Sequence, residues 1–158
     1  VSIDPLIRAR PADGDELAEL YRRHSRRLSG LAAAVTLDRS VADEVVHDAF
    51  TGLAPRLAEV RDPVAYLQRS VVNLGIRVVR RRERSRSLPQ RPVEHSSIPE
   101  VDELWAVVGA LPVHQRAVVV LRFWEDLTQD RIAEVLDIPV GTVKSTLHRA
   151  LQSIKEQL

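Results

Sequence analysis

The chain contains no cysteine, which excludes disulfides, thiolate nucleophiles and the commonest zinc clusters together. Five histidines remain, His24, His47, His95, His114 and His148, and no two stand four residues apart. They read as surface or helix-packing residues, and neither a metal nor any other cofactor is expected. No apolar run approaches bilayer length, and the N-terminus has no basic segment followed by an apolar core. A cytoplasmic chain without membrane insertion is therefore expected. The sequence starts at Val1 rather than methionine, and no appended sensory domain is expected after its last helix. Paired carboxylates, a nucleophile beside a base and a phosphate-binding loop are also missing, so the chain does not read as an enzyme.

Aromatic residues are few, at 4% of 158, and glycine, asparagine and strand-type alternation are sparse. What dominates is Ala, Leu, Val and Arg at helical spacing, which predicts an all-α protein. The formal charge of +1 gains meaning only when mapped along the chain. Arg77, Arg80, Arg81, Arg82, Arg84 and Arg86 crowd around the single Glu83, whereas acids outnumber bases from Glu100 onward.

Residues 84–99 hold three prolines and repeated serines among arginines and read as a linker. Extended, such a stretch covers roughly 40–50 Å, enough to set two small lobes on separate sites along a duplex. The predicted organisation is a helical domain over 12–83, the Pro/Ser/Arg-rich linker over 84–99 and a second helical domain over 100–158.

The second domain ends in the most specific pattern of the chain. Thr128 is positioned to cap a short helix whose apolar residues are Ile132, Ala133, Val135 and Leu136, and Asp137-Ile138-Pro139 stops it in a tight turn. In the helix that follows, Val143, Leu147, Ala150, Leu151 and Ile154 form a buried stripe. Gly141, Ser145, His148 and Gln152 face outward, flanked by Thr142, Lys144 and Arg149. This is a helix-turn-helix whose second helix suits the major groove. Lys144 is notable because Lys155 is the only other lysine. Upstream, Val101 to Ala110 is predicted helical, Pro112 is expected at the first position of the next helix, and Val118, Val119, Leu121 and Phe123 are expected to pack.

In the first domain, Leu17, Leu20, Tyr21, His24, Leu28 and Leu31 make one amphipathic face after a cap at Asp13 or Asp15. Ser40 with Asp43 resembles a capping box before a helix with Val41, Val45, Ala49, Leu53 and Leu57 on its apolar side. Asp43, Glu44, His47 and Asp48 on its polar side are either a solvated face or an acidic docking surface. After the turn Arg61-Asp62-Pro63 a helix is predicted over about Val64 to Arg82. One side carries Val64, Leu67, Val71, Leu74 and Val78, another Tyr66, Arg69, Asn73, Arg77 and Arg80. Arginines that hold phosphates beside a ring that stacks on an unpaired base suit a single nucleic-acid strand.

Taken in order, these motifs resemble bacterial sigma factors of the extracytoplasmic-function group. Asp43-Glu44-Val45-Val46-His47-Asp48-Ala49-Phe50 is similar to the family segment that docks on the clamp helices of RNA polymerase. The resemblance thus favours a docking role for Asp43, Glu44, His47, Asp48 and Phe50. Ala65 to Asn73 with its basic tail looks like the region that melts and reads the −10 element. Arg61, Asp62, Tyr66, Arg69, Asn73, Arg77, Arg80 and Arg81 would carry that role, the loop from Val60 to Pro63 helping to capture a flipped base. Leu111 to Arg116, Leu121-Arg122-Phe123 and Gly141 to Ser145 resemble the domain that reads the −35 element and touches the polymerase flap. There Thr128, Thr142, Lys144, Ser145, His148 and Arg149 would face DNA. Arg131, where many relatives carry an acid, and Asp137, in place of a frequent turn glycine, depart from the pattern. The implied partners are core RNA polymerase, promoter DNA and an anti-sigma factor. A free-standing dimeric helix-turn-helix regulator is the rival reading, and the acidic balance of the second domain weighs against it because such a domain lacks surplus charge for DNA.

Overall fold

The computed structural model describes the backbone of residues 5–85 and 103–158, and side chains from residue 14 onward within them. Every regular element among the described residues is helical, as the composition predicts. Most of the predicted linker, and Val101 at the start of the next predicted helix, lie outside the described residues.

The first lobe is three helices. α1 (Pro5–Thr36) runs through the positions expected to cap it, so Asp13 and Asp15 lie inside the helix. It ends at Leu37, which takes a left-handed φ of 59° and donates its N–H to the Ala33 carbonyl (2.8 Å), closing the last turn. α2 (Arg39–Leu53) is capped by Asp38 rather than by Ser40: the Asp38 carboxylate accepts from the amides of Ser40 and Val41. Asp43, expected to complete a capping box, instead accepts from Ser29 Oγ on α1 (2.6 Å). A 3₁₀ turn (Ala54–Arg56) leads on to α3 (Pro63–Arg84), with Pro63 in its first turn and Asp62 accepting from the Ala65 amide (3.0 Å). Proline suits that place because its missing N–H would be unsatisfied anyway. Leu31, Val35, Leu53, Leu67, Val71 and Val72 are fully buried between the three helices. α1 and α3 approach so closely at Gly75 that a Cβ there would lie 3.2 Å from Val35 Cγ1. Glycine trades helix propensity for that proximity.

The second lobe is the predicted four-helix unit. It comprises α4 (Glu103–Ala110), α5 (Val113–Val119) continued by a π turn (Val120–Trp124), α6 (Gln129–Leu136) and α7 (Val140–Gln157). Pro112 is the cap of α5 and not its first residue. The π turn inserts one residue into the helical register, the Glu125 N–H reaching the Val120 carbonyl (3.1 Å). Val118, Val119, Val120 and Leu121 stay buried while Phe123 and Trp124 swing out, 60% and 53% exposed. Phe123 is therefore not the packing residue its neighbours suggest. Leu151 is also outside the core that Val143, Leu147, Ala150 and Ile154 build.

The lobes pack against each other, and their buried residues form one continuous cluster. Two charged residues sit in the seam. Arg116 of α5, 4% exposed, donates Nε (2.9 Å) and Nη2 (2.6 Å) to the Val35 carbonyl at the end of α1. Its Nη1 donates to Leu111 O (2.8 Å). Glu125, 5% exposed, accepts from Gln68 Nε2 of α3 (3.0 Å) and Arg27 Nε of α1 (3.3 Å). Burial pulls the Arg116 guanidinium below its ordinary pKa, an effect that Glu83 opposes.

The Asp38 cap generates a stability prediction. The Ser40 hydroxyl, Arg82 and the two capped amides hold its carboxyl at about 2 against an ordinary 3.8, while burial acts the other way. A depressed carboxyl stabilises the fold above its unfolded pKa, and that contribution is lost as pH falls from about 4 through about 2. Asp38→Ala is expected to cost about 1–2 kcal/mol near neutral pH. Its melting temperature, followed by circular dichroism, should converge on that of the parent as the pH is lowered toward 2. A gap that persists unchanged in acid would contradict the assignment.

Candidate nucleic-acid and polymerase interface

The helix-turn-helix forms as its sequence pattern dictates. Thr128 Oγ1 accepts from the Arg131 amide (3.2 Å) at the start of α6. Asp137 ends that helix in the left-handed region at φ 54°, a conformation Asp tolerates better than most residues. The Ile138 N–H closes the turn on the Ala133 carbonyl (3.1 Å). Pro139 then introduces α7 without a side-chain cap; the Thr142 N–H closes on the Pro139 carbonyl (2.9 Å), and the Val140 and Gly141 amides precede the first intrahelical bond. Thr142, Lys144, Ser145, His148 and Arg149 are all exposed on α7. Arg149 is steadied by its own helix, Nε donating to the Ser145 carbonyl (3.3 Å), while Ser145 Oγ donates to Thr142 O (3.1 Å). Arg131, which departs from the expected acid, pairs with Glu134 (2.7 Å) and reaches Asp62 of the other lobe (3.4 Å).

On α2, Asp43, Glu44, His47 and Asp48 are exposed together on one face. Phe50 is not part of that surface. It is buried and packs edge-on against Tyr21 with ring centroids 5.1 Å apart, so it supports the helix from behind.

The predicted strand-binding stripe of α3 occupies an unexpected setting. Arg61, at the approach to the helix, and Arg77, Arg80 and Arg81 along it are exposed. Tyr66 lies against the core edge with its hydroxyl donating to Gly52 O (3.4 Å). Asn73 Nδ2, however, donates to the Val135 carbonyl of α6 (3.4 Å). Arg69 lies 3.8 Å from Asp137, Arg80 contacts His114 of α5, and Asp62 is shared between its capping role and Arg131. The face of the first lobe expected to bind a strand thus meets the helix-turn-helix lobe, with a cleft of about 420 Å³ between them.

Sequence reasoning missed the residues of the seam. Arg27, Gln68, Arg116 and Glu125 look like surface side chains in their own helices, because their partners lie 57 to 98 positions away. It also missed Trp124, which stacks edge-on with Trp105 at 5.2 Å. With Phe123, covered by the Arg122 guanidinium at 5.7 Å, it forms an exposed aromatic patch of the kind that marks contact surfaces. A proline-free apolar run interrupted by Arg122 carried no signal of the π turn that creates it.

The fold and these surfaces define a two-lobed helical protein carrying a helix-turn-helix in its second lobe. Residues 20–85 match the family model of Sigma-70 region 2, and residues 102–154 match that of Sigma-70, region 4. The chain is 32% identical over 150 residues to the ECF RNA polymerase sigma factor SigM of Mycobacterium tuberculosis, covering 87% of this chain and 75% of that one. It is 38% identical over 100 residues to the RNA polymerase sigma-E factor of Streptomyces coelicolor, covering 60% of this chain and little more than half (56%) of that relative's length. Its fold is similar to the sigma factor RpoE in a co-crystal structure with the anti-sigma factor NepR from Bartonella quintana (TM-score 0.71, 16% identity, 90% of this chain and 96% of that one). The chain belongs to the extracytoplasmic-function sigma factors. No described helix is long and apolar enough to cross a membrane.

The seam makes a second prediction. Exposed pairs such as Arg69–Asp137 contribute about 0–1 kcal/mol, whereas a buried hydrogen bond to a charged group, as Gln68 makes to Glu125, contributes about 1.5–3 kcal/mol. Glu125→Ala should therefore loosen the lobes while each stays folded, giving a larger radius of gyration by small-angle X-ray scattering at unchanged helicity. An unchanged radius would show that Glu125 does not hold the seam.

Proposed function

We propose that the chain is a dissociable initiation subunit that binds core RNA polymerase and supplies promoter choice and strand opening, the polymerase supplying the catalysis. The proposed division assigns residues 12–83 to core docking and the −10 element, 84–99 to the tether and 100–158 to the −35 element. It would act in the cytoplasm, on the nucleoid when loaded. The observation that carries this reading is the pairing, in one chain, of an acidic helix face, an arginine-rich helix with a tyrosine and an amide, and a helix-turn-helix with an open outer face.

Asp43, Glu44, His47 and Asp48 would dock on the basic clamp of the polymerase, and the Phe123–Trp124 patch would take an apolar partner in the same assembly. Arg61, Arg69, Arg77, Arg80 and Arg81 would hold the phosphates of the melted strand, with Tyr66 available for stacking and Asn73 and Asp62 for base-edge hydrogen bonds. On α7, Thr142, Lys144, Ser145, His148 and Arg149 would read the upstream duplex. Thr128 and the open amides of the helix N-terminus would position phosphates there. Because Asn73, Arg69 and Asp62 are engaged by the second lobe, the two lobes must part before the promoter is held. The polar contacts that engage Asn73, Arg69 and Asp62 are largely exposed and suited to parting, since exposed pairs contribute little. The RpoE–NepR complex of similar fold supports the expectation that an anti-sigma factor holds this chain as well.

Run-off transcription on a pool of randomised promoters, with core polymerase and with or without this chain, tests the reading. Added chain is expected to select promoters that core alone ignores, and failure to do so would overturn the assignment. Glu44→Arg with Asp48→Arg should abolish core pull-down while leaving the melting temperature in place; Asp43 is left intact because it ties α2 to Ser29. Lys144→Ala should weaken −35 recognition by about 1–3 kcal/mol if it contacts a base, or weaken all sequences alike with a shallower salt dependence if it contacts phosphate. Tight binding to palindromic duplex without polymerase would instead identify an autonomous regulator.

A further inference from the structure

The cleft between α3 and the α6–α7 turn is more than the shadow of two packed lobes. Arg69, Arg77, Arg80 and Arg84 project into it from one face of α3, four guanidinium groups that remain charged at any physiological pH. Among the described residues Asp137 is the one carboxylate in its lining, exposed and 3.8 Å from Arg69. Among the described residues, Arg77 makes no ion pair and Arg84 donates only to the Arg80 carbonyl of its own helix (3.4 Å). Arg80 is in contact with the His114 ring, which burial and that guanidinium push toward the neutral form. Positive charge concentrated in a walled cleft, where four guanidinium groups outnumber the carboxylates near them, attracts an anion strongly. The opposite wall includes Leu136 and Ile138, giving an apolar surface beside the charged one.

We infer that this cleft binds a small oligophosphate, inorganic or carried on a nucleoside, and that the bound anion holds the two lobes together. Three linked phosphates match a row of guanidinium groups, each able to hold two oxygens of one phosphate. The cleft volume of about 420 Å³ falls in the range of small-molecule sites and excludes a duplex. The arginines come from the first lobe, and His114, Asp137 and Ile138 from the second. A ligand seated between them is complete only in the closed arrangement, so it shifts the population toward that arrangement. Resting on the function proposed above, the consequence is competition: the oligophosphate occupies the arginines that the melted promoter strand needs.

Isothermal titration calorimetry of the full chain at about 0.15 M salt, with sodium tripolyphosphate and separately with adenosine triphosphate, tests the site. Saturable binding of tripolyphosphate is expected. Arg77→Ala with Arg80→Ala should weaken it at least about tenfold, whereas Arg22→Ala, a distant exposed arginine, should not. Both targeted side chains are solvent-exposed, and circular dichroism verifies that the variant folds. Tighter binding of the nucleoside triphosphate than of tripolyphosphate would identify the nucleoside form as the source, and equal or weaker binding the inorganic form. In the loosened Glu125→Ala chain, saturating ligand should restore the compact scattering profile. Absent binding, binding indifferent to Arg77 and Arg80, binding confined to single-stranded oligonucleotide, or no compaction would each overturn the proposal. Promoter selection in ligand-free run-off transcription is a separate readout, so this site can fail while the initiation role stands.

Discussion

Arg116 is the constraint on which the two-lobed arrangement rests. A helix ends with carbonyls that have no partner within it, and one of those of α1, Val35 O, is satisfied by a guanidinium from the other lobe. The same group ties down Leu111 O in the turn before α5. Without it, two buried carbonyls would each carry a desolvation cost of about 1–3 kcal/mol. The exposed ion pairs elsewhere along the seam contribute far less. Glu125 complements it with a buried charge of the opposite sign, its carboxylate also reaching from the second lobe to Arg27 and Gln68 of the first. Buried charges of this kind define one geometry, because each is tolerated only when its partners are in place.

That geometry makes α3 serve three surfaces at once. Leu67, Val71 and Val72 face the three-helix core. Gln68 and Asn73 belong to the seam. The arginines line the cleft and, in the initiation role, the promoter strand. A helix has room for this division because its residues advance about 100° per position. The consequence is that closing the seam engages Asp62, Arg69 and Asn73 of the proposed strand-binding face, while Glu44 and Asp48 on α2 and Lys144 and His148 on α7 stay exposed. Core docking can therefore precede opening in an ordered sequence of assembly.

Much of the local chemistry was legible in the sequence. The helix-turn-helix followed from Thr128, Asp137 and the apolar steps of α7, and α3 begins at Pro63, one residue before the expected start at about Val64. The capping box at Ser40 was misread because Asp38, two residues earlier, competes for the same amides and has Arg82 to steady it. Phe50 carried a docking motif in its letters but is required by Tyr21 for packing. Phe123 lost its expected burial to a π turn that shifts the register by one residue, which periodicity alone cannot register. The seam was illegible altogether: nothing near Arg116 or Glu125 in the chain distinguishes them from solvated charges, and their partners are supplied only by the tertiary fold.

Asp62, Arg69 and Asn73 of the proposed strand-binding face are engaged by the second lobe in the free chain, and initiation is expected to free them. Because the chain has no native cysteine, Arg81→Cys and Gln152→Cys allow two spin labels to be placed without background, one on α3 and one on α7. The measurement is their distance distribution by double electron-electron resonance, free and then bound to core polymerase on a promoter. A single short distance in the free chain that gives way to a longer one in the initiation complex is the predicted result. The same distance in both states, in a complex that transcribes, would contradict the account.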